Sequence, residues 1–424
     1  MKKNICFLLC FCVFNFCFAN AIPTDSIFVS SLQTFNVDSA TQHYLNMLSN
    51  EQKAKSDAYF EGGYWLQLWN LLYGIGVAFI FLQLGLGRWM KKIASKVKKE
   101  NLQNLIYIML YILLSWVLSF PFSVYADYFR EHQYGLSNLD FTGWLIENLK
   151  GLGIGLILAS PMIMMLYVAL RKTGNRWWVW GAGGGILFIA FISFIAPVFI
   201  APVFNKYEPL KEGTLKEEIL SMARANLIPA DNVYMFNASK QSKRVSANVS
   251  GLANTIRVSL NDNLLNRCTP AEIKAVMGHE MGHYVLNHIY KGILEFGVLL
   301  FIVFAFVNWL LNKLIERKGT KWNINSISDI SGLPLLAIVT SFIFFIATPV
   351  TNTIVRTQEI EADQFGLNAA GEPDGFARVA IMLSEYRKLN PGQLEEIIFF
   401  DHPSGRVRVN TAMRWKAEHL KEPK

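Results

Sequence analysis

Apolar residues along this chain fall into six runs of about 20, the length a helix needs to cross a ~30 Å hydrocarbon core. The runs are Tyr64–Leu86, Leu102–Leu118, Leu149–Leu170, Trp177–Ile200, Ile293–Leu311 and Leu333–Val350. Trp65, Trp69, Trp89, Trp177, Trp178 and Trp309 cluster toward run ends, where indole rings favour the headgroup layer. A polar block of about 90 residues, Asn205 to Lys291, separates the fourth run from the fifth. A second block follows the sixth run and continues to Lys424.

The first residues form a shorter apolar segment. Lys2 and Lys3 precede an apolar core from Ile5 to Phe18, and Ala19-Asn20-Ala21 follows ahead of Pro23. This is the arrangement of a secretory signal peptide over 1–21, with an uncleaved membrane anchor as the alternative. The expected organisation is then an exported segment over 22–60, four spans within 61–204 and a polar domain over 205–291. Two spans within 292–350 and a second polar part over 351–424 complete it.

Composition agrees. Apolar residues make up 52% and charged residues only 17%, against roughly 25% charged in soluble proteins. Mean hydropathy is +0.27. A single water-soluble domain and a disordered chain are excluded. Four of the five cysteines lie in the first 17 residues, so a cleaved chain keeps only Cys268 and no internal disulfide.

The net charge of +8 raises the question of nucleic acid, and its distribution answers it. Arg88–Lys99 holds six basic residues and no acid; Arg171, Lys172 and Arg176 follow the third run; Lys313, Arg317, Lys318 and Lys321 follow the fifth. With Glu316 counted these three loops carry +12, more than the whole chain, so the remainder is mildly acidic. By contrast, Pro121–Asn148 carries Arg130 against several carboxylates. Alternating basic loops place those loops in the cytoplasm and both polar blocks outside it. The expected setting is a bacterial inner membrane with both polar blocks in the periplasm, and no nucleic-acid partner.

In the first polar block Asn232–Phe236 and Thr255–Leu260 read as short strands. Thr269-Pro270-Ala271-Glu272 is a helix start: a Thr N-cap, Pro at the first helical position and Glu at the third. Ile273, Val276 and Met277 continue it, predicting a helix from Pro270 to about Ile289. That helix carries His279-Glu280-Met281-Gly282-His283, an H-E-x-x-H. Positions i and i+4 share a face, so both imidazoles can reach one metal ion, with Glu280 placed as general base toward a metal-activated water. Imidazole suits zinc, one Zn2+ per chain.

A third ligand is required. Position 289, where a third histidine would extend the motif, is Ile; His288 lies nearly half a turn from His279 and reads as a solvated or capping residue. Glu359 is the better candidate, within Glu359-Ile360-Glu361-Ala362-Asp363 on a helix leaving the sixth run. Glu359 and Asp363 share a face, so one carboxylate can bind metal while the other accepts a ligand's free N–H. Glu361 points away.

These motifs, an H-E-x-x-H helix, two further spans and then E-x-x-A-D, resemble the integral-membrane type I CAAX prenyl endopeptidases and their bacterial relatives. Ala201–Leu210, Gly251, Arg257, Asp262-Asn263-Leu264-Leu265, and His402-Pro403 with Arg408 extend the resemblance over nearly everything after Ala40. It implies a predominantly α, multi-span membrane protein with a small, mostly helical zincin-like catalytic domain carrying a short β-sheet. The spans would form a barrel of helices around a water-filled chamber with the metal site at one end. It also implies a zinc endopeptidase of the gluzincin type, with His279, His283 and Glu359 as ligands and Glu280 as base. Asp363 would orient a ligand, His402 would donate to the oxyanion, and Arg408 would support the site by pairing with Glu359. Ser246–Gly251 would be an edge strand on which substrate adds.

Two features depart from the family. Ser246-Ala247 stands where the family has Asn-Ala, with Asn248 as the nearby substitute. A signal peptide replaces the first of seven spans, and charge places the catalytic side outside. The expected substrates are therefore extracytoplasmic or membrane-associated polypeptides, lipid-modified ones included. The alternative from another class is a non-catalytic, metal-stabilised membrane scaffold or chaperone, against which the intact Glu280 argues.

Overall fold

The structure, a computed structural model, describes residues 35–251 and 256–419. The expected signal peptide lies outside the described residues. Helix α1 (Val37–Leu45) leads into α2 (Asn50–Gln83), capped by Ser49 and Gln52 in a capping box. An amphipathic α3 (Leu86–Ala94) precedes α4 (Glu100–Ser123), which runs on through a wider turn to Gln133. Then follow α5 (Phe141–Thr173) and α6 (Trp177–Ile195), which continues to Phe204. Two long helices, α10 (His288–Trp322) and α11 (Leu333–Ala370), come after the first polar block.

Among the described residues, five helical stretches are long and apolar enough to cross a membrane. One of them, Phe141–Phe204, is α5 and α6 together. Gly174, in the left-handed region at φ +52°, turns the chain between them, and Leu166 packs on Gly181. The chain therefore doubles back, and the six apolar runs occupy six helices. Gly181 has Phe304 of α10 against it as well, so a Cβ there would come within 3.2 Å of that ring. Gly183 and Gly184, of the same glycine cluster, have open space beside them.

The helices outlast their apolar runs. At 1.5 Å per residue the 34-residue α2 is about 50 Å long, well beyond a ~30 Å apolar core. Its polar first turns meet the C-terminal block: Lys388 pairs with Glu61 at 2.6 Å and Tyr64 donates to Glu395 at 2.8 Å. The opposite ends of the bundle also gather, with Lys91 on Asp329 at 3.2 Å and Arg171 on Glu100 at 2.9 Å. The three basic loops thus share one end. The polar blocks occupy the other, where residues 137 and 242 bridge.

The first polar block holds a four-stranded sheet in the order β1-β2-β4-β3. The strands are β1 (Tyr207–Pro209), β2 (Val233–Phe236), β3 (Ala247–Ser250) and β4 (Arg257–Asn261). β2 pairs parallel with β4, and β1 and β3 flank them antiparallel. Helices α7 (Thr214–Ala225), α8 (Asp262–Arg267) and α9 (Pro270–Val285) cover it. Ile219, Val233, Val258, Leu260, Ile273 and Met277 form their common core. The second polar block adds α12 (Pro373–Leu383), α13 (Gln393–Phe399) and α14 (Gly405–His419).

The predicted capping box at Thr269 is present: Glu272 N–H donates to Thr269 Oγ1, and Thr269 N–H to Glu272 Oε2 at 2.7 Å. The helix ends four residues earlier than predicted. Asn287 takes left-handed backbone angles (φ +58°, ψ +37°), which breaks the hydrogen-bond ladder and starts α10 at His288.

Candidate active site

Helices α9 and α11 cross at backbone contact, and small residues make that possible. A Cβ on Gly366 would stand 2.7 Å from His279 N, one on Gly278 would stand 2.8 Å from Gly366 O, and one on Gly282 would stand 3.1 Å from Ala362 Cα. Gly282 is inside the H-E-x-x-H and Ala362 inside the E-x-x-A-D, so both motifs carry their own clearance. The crossing lays the His279/His283 face directly against the Glu359/Asp363 face.

His279 Nε2 lies 3.1 Å from His283 Nε2 and 3.3 Å from Glu359 Oε2, and His283 Nε2 lies 3.4 Å from Glu359 Oε1. Ligands at zinc–nitrogen and zinc–oxygen distances of about 2.0–2.1 Å in a tetrahedron stand about 3.3 Å from one another. Glu359 Oε2 is buried without a hydrogen-bond partner among the described residues, the mark of an acceptor reserved for something else. Two imidazoles and one carboxylate converging on a point, with an orphaned oxygen among them, fit a divalent metal ion.

Asp363 Oδ1 accepts from His279 Nδ1 at 2.8 Å, which turns His279 Nε2 toward the centre. Arg408 forks onto Asp363, Nη2 at 2.5 Å and Nε at 2.9 Å. This corrects the expected pairing of Arg408 with Glu359: the guanidinium saturates the neighbouring carboxylate. His402 Nε2 sits 3.2 Å from Glu359 Oε2, with Asp401 on its Nδ1 at 2.8 Å.

Burial pulls the His279 imidazole down, but its contacts with Asp363 and Glu359 outweigh that and hold it up at about 10. Burial and the charge on His279 press His283 down to about 4. At neutral pH the pair therefore carries one positive charge, on His279. Burial pushes the Glu280 carboxyl up to about 7, against the opposing pull of His279.

Glu280 lies where two cavities meet. One, of about 240 Å3, is lined by Ser246, Ala247, His279, Glu280, Phe376 and His402. The other, of about 750 Å3, runs past His283 and Tyr284 to Ile293 and Phe296 of α10 and Phe194 of α6. Strand β3 is an edge of the sheet, so Ser246 and Ala247 border the first cavity beside a free strand edge. Asn248 does not line it; its amide oxygen accepts from Ser250 at 2.9 Å.

Sequence reasoning misplaced His288. Its side chain is 4% exposed, and it stands between His283 Nδ1 at 2.8 Å and Glu361 Oε2 at 3.1 Å. The left-handed Asn287 sends it there. An Asn just before a histidine near the end of a helical run was the available signal.

Two histidines on α9 and a carboxylate on α11, a helix that continues out of an apolar span, form a group able to hold a metal ion at the edge of a membrane bundle. Residues 209–416 match the model of peptidase family M48, and residues 33–206 match the CAAX prenyl protease N-terminal model, whose description counts five membrane helices. The chain belongs to the M48 metallopeptidases, in their CAAX prenyl protease-like branch. It is 28% identical over 352 residues to the uncharacterized metalloprotease YhfN of Bacillus subtilis, covering 81% of this chain and 82% of that one. It is 27% identical over 346 residues to CAAX prenyl protease 1 of Saccharomyces cerevisiae, covering 75% and 74% respectively. The crystal structure of S. mikatae Ste24p has the same fold, with a TM-score of 0.71 over 89% of this chain and 94% of that one at 22% identity. The protein is thus a multi-pass membrane metalloendopeptidase.

Proposed function

We propose that this protein holds one zinc ion on His279, His283 and Glu359 and cleaves extracytoplasmic or membrane-associated polypeptides, lipid-modified ones included. The observation that carries this is the convergence of three donors at mutual distances of 3.1–3.4 Å beside the elevated carboxyl of Glu280. When bound, the ion supplies Lewis-acid polarisation of the scissile carbonyl and of the attacking water.

The chain's own residues do the rest. Substrate lies extended along β3 and adds backbone hydrogen bonds to its free edge, where Ser246, Ala247 and Asn248 lie. Glu280, held near neutrality, takes a proton from the attacking water and returns it to the leaving amine. His402 turns its Nε2 toward the carbonyl oxygen as that gains charge, with Asp401 on Nδ1 fixing its ring. Asp363, gripped by Arg408, keeps the His279 ring turned toward the centre.

In this reading residues 1–21 export the N-terminus, and 61–204 and 292–350 span a bacterial inner membrane. Residues 205–291 and 351–424 together form a periplasmic catalytic domain. Hydrolysis of an unfolded reporter in reconstituted vesicles tests the metal's part. Chelation should abolish cleavage and one equivalent of zinc should restore it; cleavage that survives complete metal removal would contradict the proposal.

A further inference from the structure

We infer that His288 is a positioning residue for the second histidine of the metal centre. As a neutral imidazole it takes the Nδ1 proton of His283 in a hydrogen bond and is itself held by Glu361. The inference rests on the reading of His283 as a ligand.

The proton arrangement follows from His283 acting as a ligand through Nε2. For His283 Nε2 to face the centre with a lone pair, its proton must sit on Nδ1. That nitrogen lies 2.8 Å from His288 Nδ1, which must then accept, so the His288 proton sits on Nε2. There it donates to Glu361 Oε2 at 3.1 Å. With these tautomers both contacts of His288 are satisfied.

The fold is built for this placement. An uninterrupted helix would carry residue 288 about 140° around the axis from residue 283. The left-handed turn at Asn287 cancels that offset and returns the His288 ring against His283, centroids 5.0 Å apart and nearly perpendicular. Lys291, one turn further along α10, donates to the same Glu361 Oε2 at 2.5 Å and fixes that carboxylate. One helix, α11, therefore backs both histidines. Asp363 holds His279 directly, and Glu361 holds His283 through His288.

The test uses the full chain in detergent with zinc affinity read by chelator competition, and with the visible spectrum of the cobalt-loaded protein as a second readout. His288→Leu should weaken zinc binding about 10–100-fold and alter the cobalt spectrum. Glu361→Ala should shift both in the same direction. His288→Gln, whose amide can accept from His283 and donate to Glu361, should recover most of the affinity. Parental affinity and spectrum in His288→Leu would overturn the inference, as would equal losses in the Leu and Gln variants, which would reduce His288 to packing. If His288→Leu does not fold, Glu361→Ala decides: unchanged affinity there overturns the relay. A parent chain that binds no metal would remove the ligand reading itself, a failure distinct from variants that match a metal-binding parent.

Discussion

Glu359 and Asp363 are carboxylates four residues apart on one helix, and their partners divide the work between them. Asp363 is saturated by His279 and Arg408, whereas Glu359 keeps an oxygen without a hydrogen bond. The same logic separates the two histidines: the positive charge of the pair stays on His279, near 10, while His283 is held near 4. A metal ion must displace the proton that carries this charge, so the sign of the pH dependence follows. Affinity should rise with pH while His279 remains protonated in the free protein, by up to about tenfold per unit for one proton released. Chelator competition at pH 6, 7 and 8 measures it, and a pH-independent affinity would contradict the proton's placement.

At the scale of elements, the site depends on two helices crossing closer than side chains normally permit. Gly366→Ala would push a methyl to 2.7 Å from His279 N, a backbone atom that cannot rotate away. The expected result is a loss of about 1–3 kcal/mol in stability together with weakened metal binding. Thermal unfolding with and without zinc measures both, and an unchanged melting temperature would refute the crossing. This crossing also explains what was legible in the chain. His279, Glu280 and His283 could be placed because an i, i+4 pair on a capped helix is a local geometry. Glu359 and Asp363 followed from the same spacing on a second helix. The partner of Arg408 and the place of His288 could not be read this way. One is settled by where α14 meets α11, the other by a single left-handed residue at the end of α9, and neither leaves a periodic trace. The edge position of β3 was expected from the family resemblance alone, since no periodicity in the strand marks it; its pairing with β4 shows it.

Over the whole molecule, charge and fold agree on two unlike ends. The basic loops collect at one end of the bundle and the acidic remainder, with the candidate site, at the other. On the topology proposed above, the positive-inside rule predicts a catalytic end outside the cytoplasm. Cys268 is a poor reporter of this, since burial pushes its thiol up to about 12 and it packs on Met382. Lys211→Cys at the catalytic end and Lys96→Cys at the basic end, each in a Cys268→Ser background, serve better. An impermeant maleimide should label the first in spheroplasts and the second only after lysis; the reverse pattern would place the site in the cytoplasm.

The long helices connect these ends to the chemistry, because α11 carries both a span and Glu359, and the cavity beside Glu280 reaches α6 and α10. A peptidase so built should cut chains presented at the membrane surface, and its activity should hinge on one carboxylate. The most direct measurement is the cleavage rate of an unfolded, membrane-tethered reporter in vesicles by the parent and by Glu280→Gln, with zinc content matched. Loss of the general base should lower the rate at least 100-fold while zinc stays bound. Equal rates in the two proteins, or no cleavage by a zinc-loaded parent, would contradict the account.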